Sequence, residues 1–392
     1  MVVKIRRDKV IEWLVACFVV FLPLSWASFA FGSIYRMLII TSLVVFLFYS
    51  NGKFNIRVDN KRLFLMWSLY TVYSVISAFW SDDFSNSLTE ALGMVLIYAV
   101  IFIFSRYSFE DAADGLMRAW ILSGAICMML FFFGEREIVG VRETLIILGT
   151  STDHNEFASV FIVPVSVGIH LLLKKTSVHV KIFNVILVLL ELYVIMLTGS
   201  RGALIATIFA AALTILFRRE LSVKYLITVS LMLLILLYAT ADFILPLIPK
   251  ALLQRFSLET MLETGGAGRA EIWALGWQKI FGGSVIRLLF GYGSGATIVV
   301  SGLGGTYAMH NQILQVLANY GIVGFIIYMC MLWESFQNLK NRNKQFLGAF
   351  WGMMLMSMTL SMSPSYKPLW ILLLMGFCGC EKTEKSIRET RS

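Results

Sequence analysis

Apolar runs of about 17 to 25 residues, separated by short polar breaks, recur along almost the whole chain. Each is long enough as a helix to cross a hydrocarbon core of about 30 Å. The runs are continuous and do not alternate residue by residue, which predicts helices and excludes a barrel. They fall at 10–31, 35–50, 63–80, 88–105, 116–134, 155–173, 182–198, 202–217, 224–245, 311–333, 346–361 and 367–380. The expected fold is therefore all-α, a polytopic transmembrane bundle of about 12 spans. One long stretch breaks the pattern, from Pro246 to Met309, and it holds 12 of the 29 glycines. The chain then reads as spans one to nine over 1–245, a loop or lid over 246–310, spans ten to twelve over 311–380, and a tail over 381–392.

Composition agrees with the pattern. Hydrophobic residues make up 58% of the chain, charged residues 15%, and the mean hydropathy is +0.78, whereas soluble domains carry about 25% charged residues. Lys and Arg give orientation. With the N-terminus inside, 22 of the 33 fall on cytoplasmic segments, so both termini are expected in the cytoplasm and the long loop outside. The first apolar run follows Lys4, Arg6, Arg7 and Lys9 but has no small-residue cleavage site, so it reads as a retained span. The net charge of +9 is largely this topological bias, and no basic-aromatic platform points to nucleic acid. All five cysteines lie in or beside spans, which leaves neither a disulfide framework nor a zinc spacing.

The candidate chemistry sits at the outer ends of helices. Asp82 and Asp83 read as a solvated turn, with Ser85 or Ser87 capping the helix that follows. Asp153, His154, Asn155 and Glu156 form the densest polar cluster at any helix start; capping explains one of them, and a polar ligand would explain the rest. Thr198-Gly-Ser-Arg201-Gly is a tight turn between two apolar helices. Such a turn needs Gly and Ser but not Arg. A cation at a helix N-terminus opposes the helix dipole unless an anion sits there too, and free N–H groups plus a guanidinium suit phosphate. In the long loop, 250–262 reads as an amphipathic interfacial helix, and a second helix over 270–281 carries Trp273 and Trp277 on one face. Gly291-Tyr-Gly-Ser-Gly lacks the βαβ context of a dinucleotide site and reads as a hinge of a lid. His310 and Asn311 close the loop at a helix start, where the dipole favours a neutral, base-competent imidazole. Gly321 and Gly324 follow, and their small size lets a neighbouring helix approach.

In their order and topology, Trp80-Ser-Asp-Asp, His154-Asn-Glu-Phe-Ala158, Gly199-Ser-Arg-Gly-Ala203, Gly268-Arg-Ala-Glu-Ile-Trp273, Gly291-Tyr-Gly293 and His310-Asn311 resemble the O-antigen ligase and O-antigen polymerase superfamily. His310-Asn311, nine residues and Gly321-x-x-Gly324 resemble the ligase pattern in particular. The resemblance implies a glycosyltransferase with a glycan donor linked to undecaprenyl diphosphate and a lipid A-core acceptor. It implies that Arg201 and Arg269 bind the diphosphate and that His310 takes the proton from the acceptor hydroxyl. Asn155 and Asn311 would position substrate groups or the histidine, with His154 and Tyr292 also on the substrate side. No cofactor or metal is expected; membrane lipids are partners, and a homo-oligomer is compatible with the pattern. A repeat-unit polymerase would share the donor. A transporter would need a polar cavity, but the span interiors are mostly Leu, Ile, Val, Phe and Met.

Overall fold

A computed structural model describes residues 7–26, 28–29, 32–50, 61–105, 112–174, 176–217, 248–257, 259–260, 268–300, 305–362 and 366–378. The expected span 224–245 lies outside these residues, as does the 381–392 tail. In chain order the helices are α1 (Arg7–Val20), α2 (Ile34–Ser50), α3 (Lys61–Ser77), α4 (Phe84–Phe104), α5 (Ala112–Phe133), α6 (His154–Ser159), α7 (Ile162–Leu173), α8 (Val178–Leu197), α9 (Arg201–Leu216), α10 (Lys250–Arg255), α11 (Arg269–Phe281), α12 (Val285–Phe290), α13 (Gln312–Arg342), α14 (Leu347–Ser357) and α15 (Lys367–Leu374). Among the described residues seven short strands accompany them: β1 (Ser28–Phe29), β2 (Gly32–Ser33), β3 (Glu135–Val139), β4 (Arg142–Ile147), β5 (Thr150–Ser151), β6 (Ile298–Val300) and β7 (Gly305–Tyr307).

Among the described residues six helical segments are long and apolar enough to cross a membrane: Lys61–Trp80, Phe84–Phe104, Asp114–Phe133, His154–Leu173, Val178–Leu197 and Gln312–Arg342. Ile34–Phe48, Arg201–Leu216 and Lys367–Phe377 are shorter apolar helices. The chain is thus helical and multi-pass, and six full-length segments stand beside the expected count of about 12 spans. The first apolar run illustrates the difference: α1 ends at Val20, a turn with Pro23 at its start follows, and β1 and β2 pair as a small hairpin where the run predicts continuing helix.

Caps follow local chemistry more closely than the sequence reading does. Asp83, not Ser85 or Ser87, caps α4 by accepting from the Asn86 N–H at 3.0 Å. Asp153 caps α6, accepting from Asn155 and Glu156 at 2.8 and 2.9 Å. The polar segment 135–151, which separates two of the expected spans, is a three-stranded antiparallel sheet. Gly140, with φ of 68°, permits the tight turn that pairs Val139 with Arg142.

The chain divides into two compact units that interleave in sequence, 1–123 with 269–344 and 357–392, and 124–268 with 345–356. In the first unit α3 packs along α13, and Trp67, Tyr70, Tyr320, Tyr328 and Trp370 form a buried aromatic cluster. A hydroxyl network lies beside it. Ser74 Oγ is 2.7 Å from the Tyr320 hydroxyl and 3.2 Å from Ser294 Oγ, and the Ser294 N–H donates to Ser77 Oγ. These bonds join the segment 291–296 to α3 and α13, satisfying polar groups that would each cost about 1–3 kcal/mol if buried alone.

Gly321 explains the shape of α13. It takes a left-handed conformation, φ 62°, within the helix and kinks it. The kink frees main-chain carbonyls: those of Ala318 and Asn319 accept the Tyr292 and Gly293 N–H groups at 2.8 and 2.9 Å, and that of Tyr320 accepts the Tyr73 hydroxyl at 3.0 Å. A Cβ on Gly321 would lie 2.5 Å from the Leu289 carbonyl carbon. Gly321→Ala is therefore expected to destabilise by about 2–4 kcal/mol, through both the positive φ and the collision. Gly115→Ala, where a Cβ meets nothing within 4 Å, is expected to be neutral or to stabilise by up to about 1 kcal/mol. Thermal midpoints in detergent check the pair; equal midpoints would refute the role given to Gly321.

In the second unit the small residues Ala203, Ala206, Ala210 and Thr214 form a buried stripe on α9. Gly348 and Gly352 of α14 meet that stripe, a Cβ on Gly352 lying 2.5 Å from Ala210 Cβ. Ser166 of α7 and Thr214 share a hydrogen bond of 2.7 Å at the same contact.

Candidate functional site

A concentration of positive charge lies in the second unit, at the turn between α8 and α9. Leu197 ends α8, Gly199 adopts φ of 63°, and Arg201 is the first residue of α9. Three guanidiniums converge on this turn. Arg142, from β4, donates Nε to the Thr198 carbonyl at 3.0 Å and Nη2 to Asn155 Oδ1 at 2.9 Å. Arg255, ending α10, donates Nε to the Gly199 carbonyl at 3.1 Å, and Arg201 Nη1 donates to the Arg255 carbonyl at 3.3 Å. Burial and then the neighbouring Arg201 hold the Arg255 guanidinium below the usual arginine range. Among the described residues neither Arg201 nor Arg255 forms a salt bridge with a carboxylate. Like charges brought together at a helix N-terminus cost free energy, and an anion of more than one charge relieves it.

Asn155 ties this arrangement together, because its Oδ1 also accepts from Ser200 Oγ at 3.0 Å. Its carbonyl oxygen thus joins Arg142 to the turn. His154, the first residue of α6, has Nδ1 2.7 Å from Thr144 Oγ1. Arg142 and Arg255 are absent from the sequence-based set. Arg142 lies in a segment whose charges nearly balance, and Arg255 sits in a stretch that reads as an interfacial helix; only the folded sheet and α10 bring them to Arg201.

In the first unit His310 occupies a constrained position. It is half-buried and left-handed, with φ of 46°, a conformation uncommon for residues other than glycine. Its neighbours hold it there. The Met309 N–H donates to Gln315 Oε1 at 2.9 Å, and Asn311 caps α13 by accepting from Ile313 and Leu314 at 3.0 and 3.2 Å. Asn311 Nδ2 donates to the Met358 carbonyl at 3.2 Å. Both ends of the Asn311 amide are therefore engaged, which suits holding the histidine backbone better than binding substrate directly. Below it, Gln315 Nε2 donates to Asn319 Oδ1 and to the Ala296 carbonyl, so one polar ladder on α13 fixes the histidine turn and the glycine-rich segment.

That segment is more fixed than a hinge. Gly291 and Gly293 are buried, and a Cβ on Gly291 would meet the Asn319 and Tyr320 backbone. The Tyr292 hydroxyl donates to the Lys279 carbonyl at 2.8 Å, while Lys279 Nζ and Arg287 Cζ lie 4.7 and 5.1 Å from its ring centroid. Tyr292 and Lys279 border an open recess of about 430 Å³. Burial, partly offset by Asp82, holds the Lys279 ammonium below its ordinary range. Arg269 opens α11 directly after Gly268, whose φ is 79°. Asp82, expected to be a solvated carboxylate, is paired with Arg287 at 2.8 Å. Among the described residues no group of three His, Cys, Asp or Glu is placed to hold a metal ion.

Residues 186–329 match the family model for O-antigen ligase. That stretch is similar to the O-antigen ligase domain, and the match supports the resemblance to the O-antigen ligase superfamily. It includes Arg201, Arg255, Arg269, Tyr292, His310, Asn311 and the Gly321–Gly324 pair; Arg142, His154 and Asn155 precede it. The match supports an O-antigen ligase or polymerase type of function in a multi-pass membrane protein. One solved structure, of a peptidoglycan synthase complex, contains a chain that is 14% identical with a TM-score of 0.47, the alignment covering 80% of this chain and 96% of that one. At that level the likeness carries no functional argument. No curated protein matches the chain.

Proposed function

We propose that this protein is an O-antigen ligase, transferring glycan from undecaprenyl diphosphate to lipid A-core by metal-independent, inverting glycosyl transfer on the periplasmic side of the inner membrane. The observation that carries this reading is the group of Arg142, Arg201 and Arg255 around a helix-initiating turn, two of them without a carboxylate partner among the described residues. A diphosphate supplies the missing negative charge.

In the proposed reaction the acceptor hydroxyl oxygen attacks the anomeric carbon as the bond from that carbon to the diphosphate oxygen breaks. The bonding electrons leave with undecaprenyl diphosphate. Arg201 and Arg269 stabilise the charge developing on that leaving group. His310 accepts the hydroxyl proton, and Asn311 positions His310 through its backbone. Asn155 holds Arg142 against the Arg201 turn, and His154 and Tyr292 complete the substrate-facing set.

Reconstitution of the full chain in liposomes with lipid-linked glycan and lipid A-core tests the reading. The expected product is glycan on lipid A-core, formed at an unchanged rate in the presence of a chelator. Glycan lengthening on the lipid carrier alone would replace the ligase reading with a polymerase. Loss of activity with chelator, restored by added metal, would remove the metal-independent mechanism.

A further inference from the structure

The elbow formed by α11 and α12 presents an apolar surface that the proposed chemistry does not use. Trp277 and Phe281, stacked with centroids 5.2 Å apart, are exposed at the end of α11. Val285 and Ile286 are 71% and 70% exposed at the start of α12, and Leu289 and Phe290 continue the surface. Six large apolar side chains along 14 residues exceed the scattered exposure that water tolerates.

Hydrogen bonds give this elbow a depth. Arg287 Nη1 donates to the Trp80 carbonyl at 2.9 Å, and Nη2 pairs with Asp82. Trp80 to Asp83 is the turn joining the spanning segments Lys61–Trp80 and Phe84–Phe104, so Arg287 sits where those segments leave the bilayer. At the other end of α12 the Phe290 carbonyl lies 3.5 Å from the Tyr73 hydroxyl, whose shorter bond is to the Tyr320 carbonyl. Tyr73 precedes Trp80 by seven residues, which places it about 10 Å further along the helix, toward the bilayer interior. The short helix α12 therefore descends beside a span, and Phe79 and Phe84, on that span and its successor, are exposed as well.

The backbone is built for such a setting. Ser284 Oγ accepts the Arg287 N–H, the Leu288 N–H donates to the Ser284 carbonyl, and the Gly291 N–H donates to the Arg287 carbonyl. The next two amides, of Tyr292 and Gly293, reach carbonyls freed by the α13 kink. Pairing of these amides suits a segment in hydrocarbon, where an unpaired amide is costly.

We propose that the α11–α12 elbow is immersed in the bilayer leaflet at the Trp80–Asp83 turn, with lipid acyl chains against Trp277, Phe281, Val285, Ile286 and Phe290. It anchors the segment leading to Tyr292 from the lipid side. This inference rests on the spanning segments and not on the ligase reading.

Ile286→Cys and, on the same α11–α12 segment, Glu271→Cys test it, each in the full chain carrying an environment-sensitive fluorophore in nanodiscs, with the unsubstituted protein as the labelling background. Glu271 is exposed on the early turns of α11. The label at 286 is expected to be quenched about twofold more by shallow spin-labelled lipid than the label at 271, with blue-shifted emission. Equal quenching at both positions would overturn the proposal. So would protection of position 286 that depends on protein concentration, which would mean that a second copy covers the face. Val285→Cys reads the same surface should Ile286→Cys fail to accumulate.

Discussion

Arg201→Ala is expected to lower glycan transfer by about 10²- to 10³-fold, the magnitude typical of removing one preorganised donor from developing negative charge. The fold should survive, because the Arg201 side chain is partly exposed and its one hydrogen bond among the described residues is to the Arg255 carbonyl at 3.3 Å. Two features make it the more consequential member of the cluster. It is the first residue of α9, where the free N–H groups of the helix start add to its charge, and it stands beside Arg255, so the pair repels until an anion binds. Arg201→Lys should recover only part of the rate, since an ammonium lacks the planar fork that engages two phosphate oxygens together. Transfer from purified lipid-linked glycan in liposomes, with thermal midpoints alongside, measures both. Near-normal transfer by Arg201→Ala would remove the diphosphate role from this turn.

What the sequence discloses and what it hides follow from the range of the interactions. Helices and caps are local, so apolar length discloses the helical, multi-pass character and Asp153 marks the start of α6, although the α4 cap is Asp83 and not the expected serines. The left-handed Gly321 is legible only as a small residue; its kink, and the carbonyls thereby offered to Tyr292 and Gly293, depend on a segment some 30 residues earlier. For the same reason Gly291-Tyr-Gly-Ser-Gly reads as a hinge although its glycines are there to let backbones touch. Arg142 shows the limit most plainly. Its sequence neighbours suggest a balanced surface loop, yet strand pairing turns the segment into a sheet, and the side chain reaches a carbonyl 56 residues away. A signal for the buried ladder was present in Asn311, Gln315 and Asn319, polar residues four apart in an apolar helix.

Removal of the His310 ring is expected to lower transfer by about 10²- to 10⁴-fold, the range of a positioned general base. The backbone decides how to test this. At φ of 46° an alanine keeps the strain of a left-handed Cβ and loses the imidazole, so His310→Ala mixes a folding effect with a chemical one. Glycine accepts that conformation without penalty. His310→Gly should therefore retain the turn held by Gln315 and Asn311, with a thermal midpoint at or near that of the unsubstituted protein, and lose the proton acceptor alone. If the ring acts as a base, transfer by the unsubstituted protein rises with pH as the imidazole loses its proton. That dependence should disappear in His310→Gly, and added imidazole should restore part of the rate. A stable His310→Gly with undiminished transfer would show that the strained turn serves the fold and not the chemistry. A loss that imidazole does not relieve, with the pH dependence intact, would move the base to another residue.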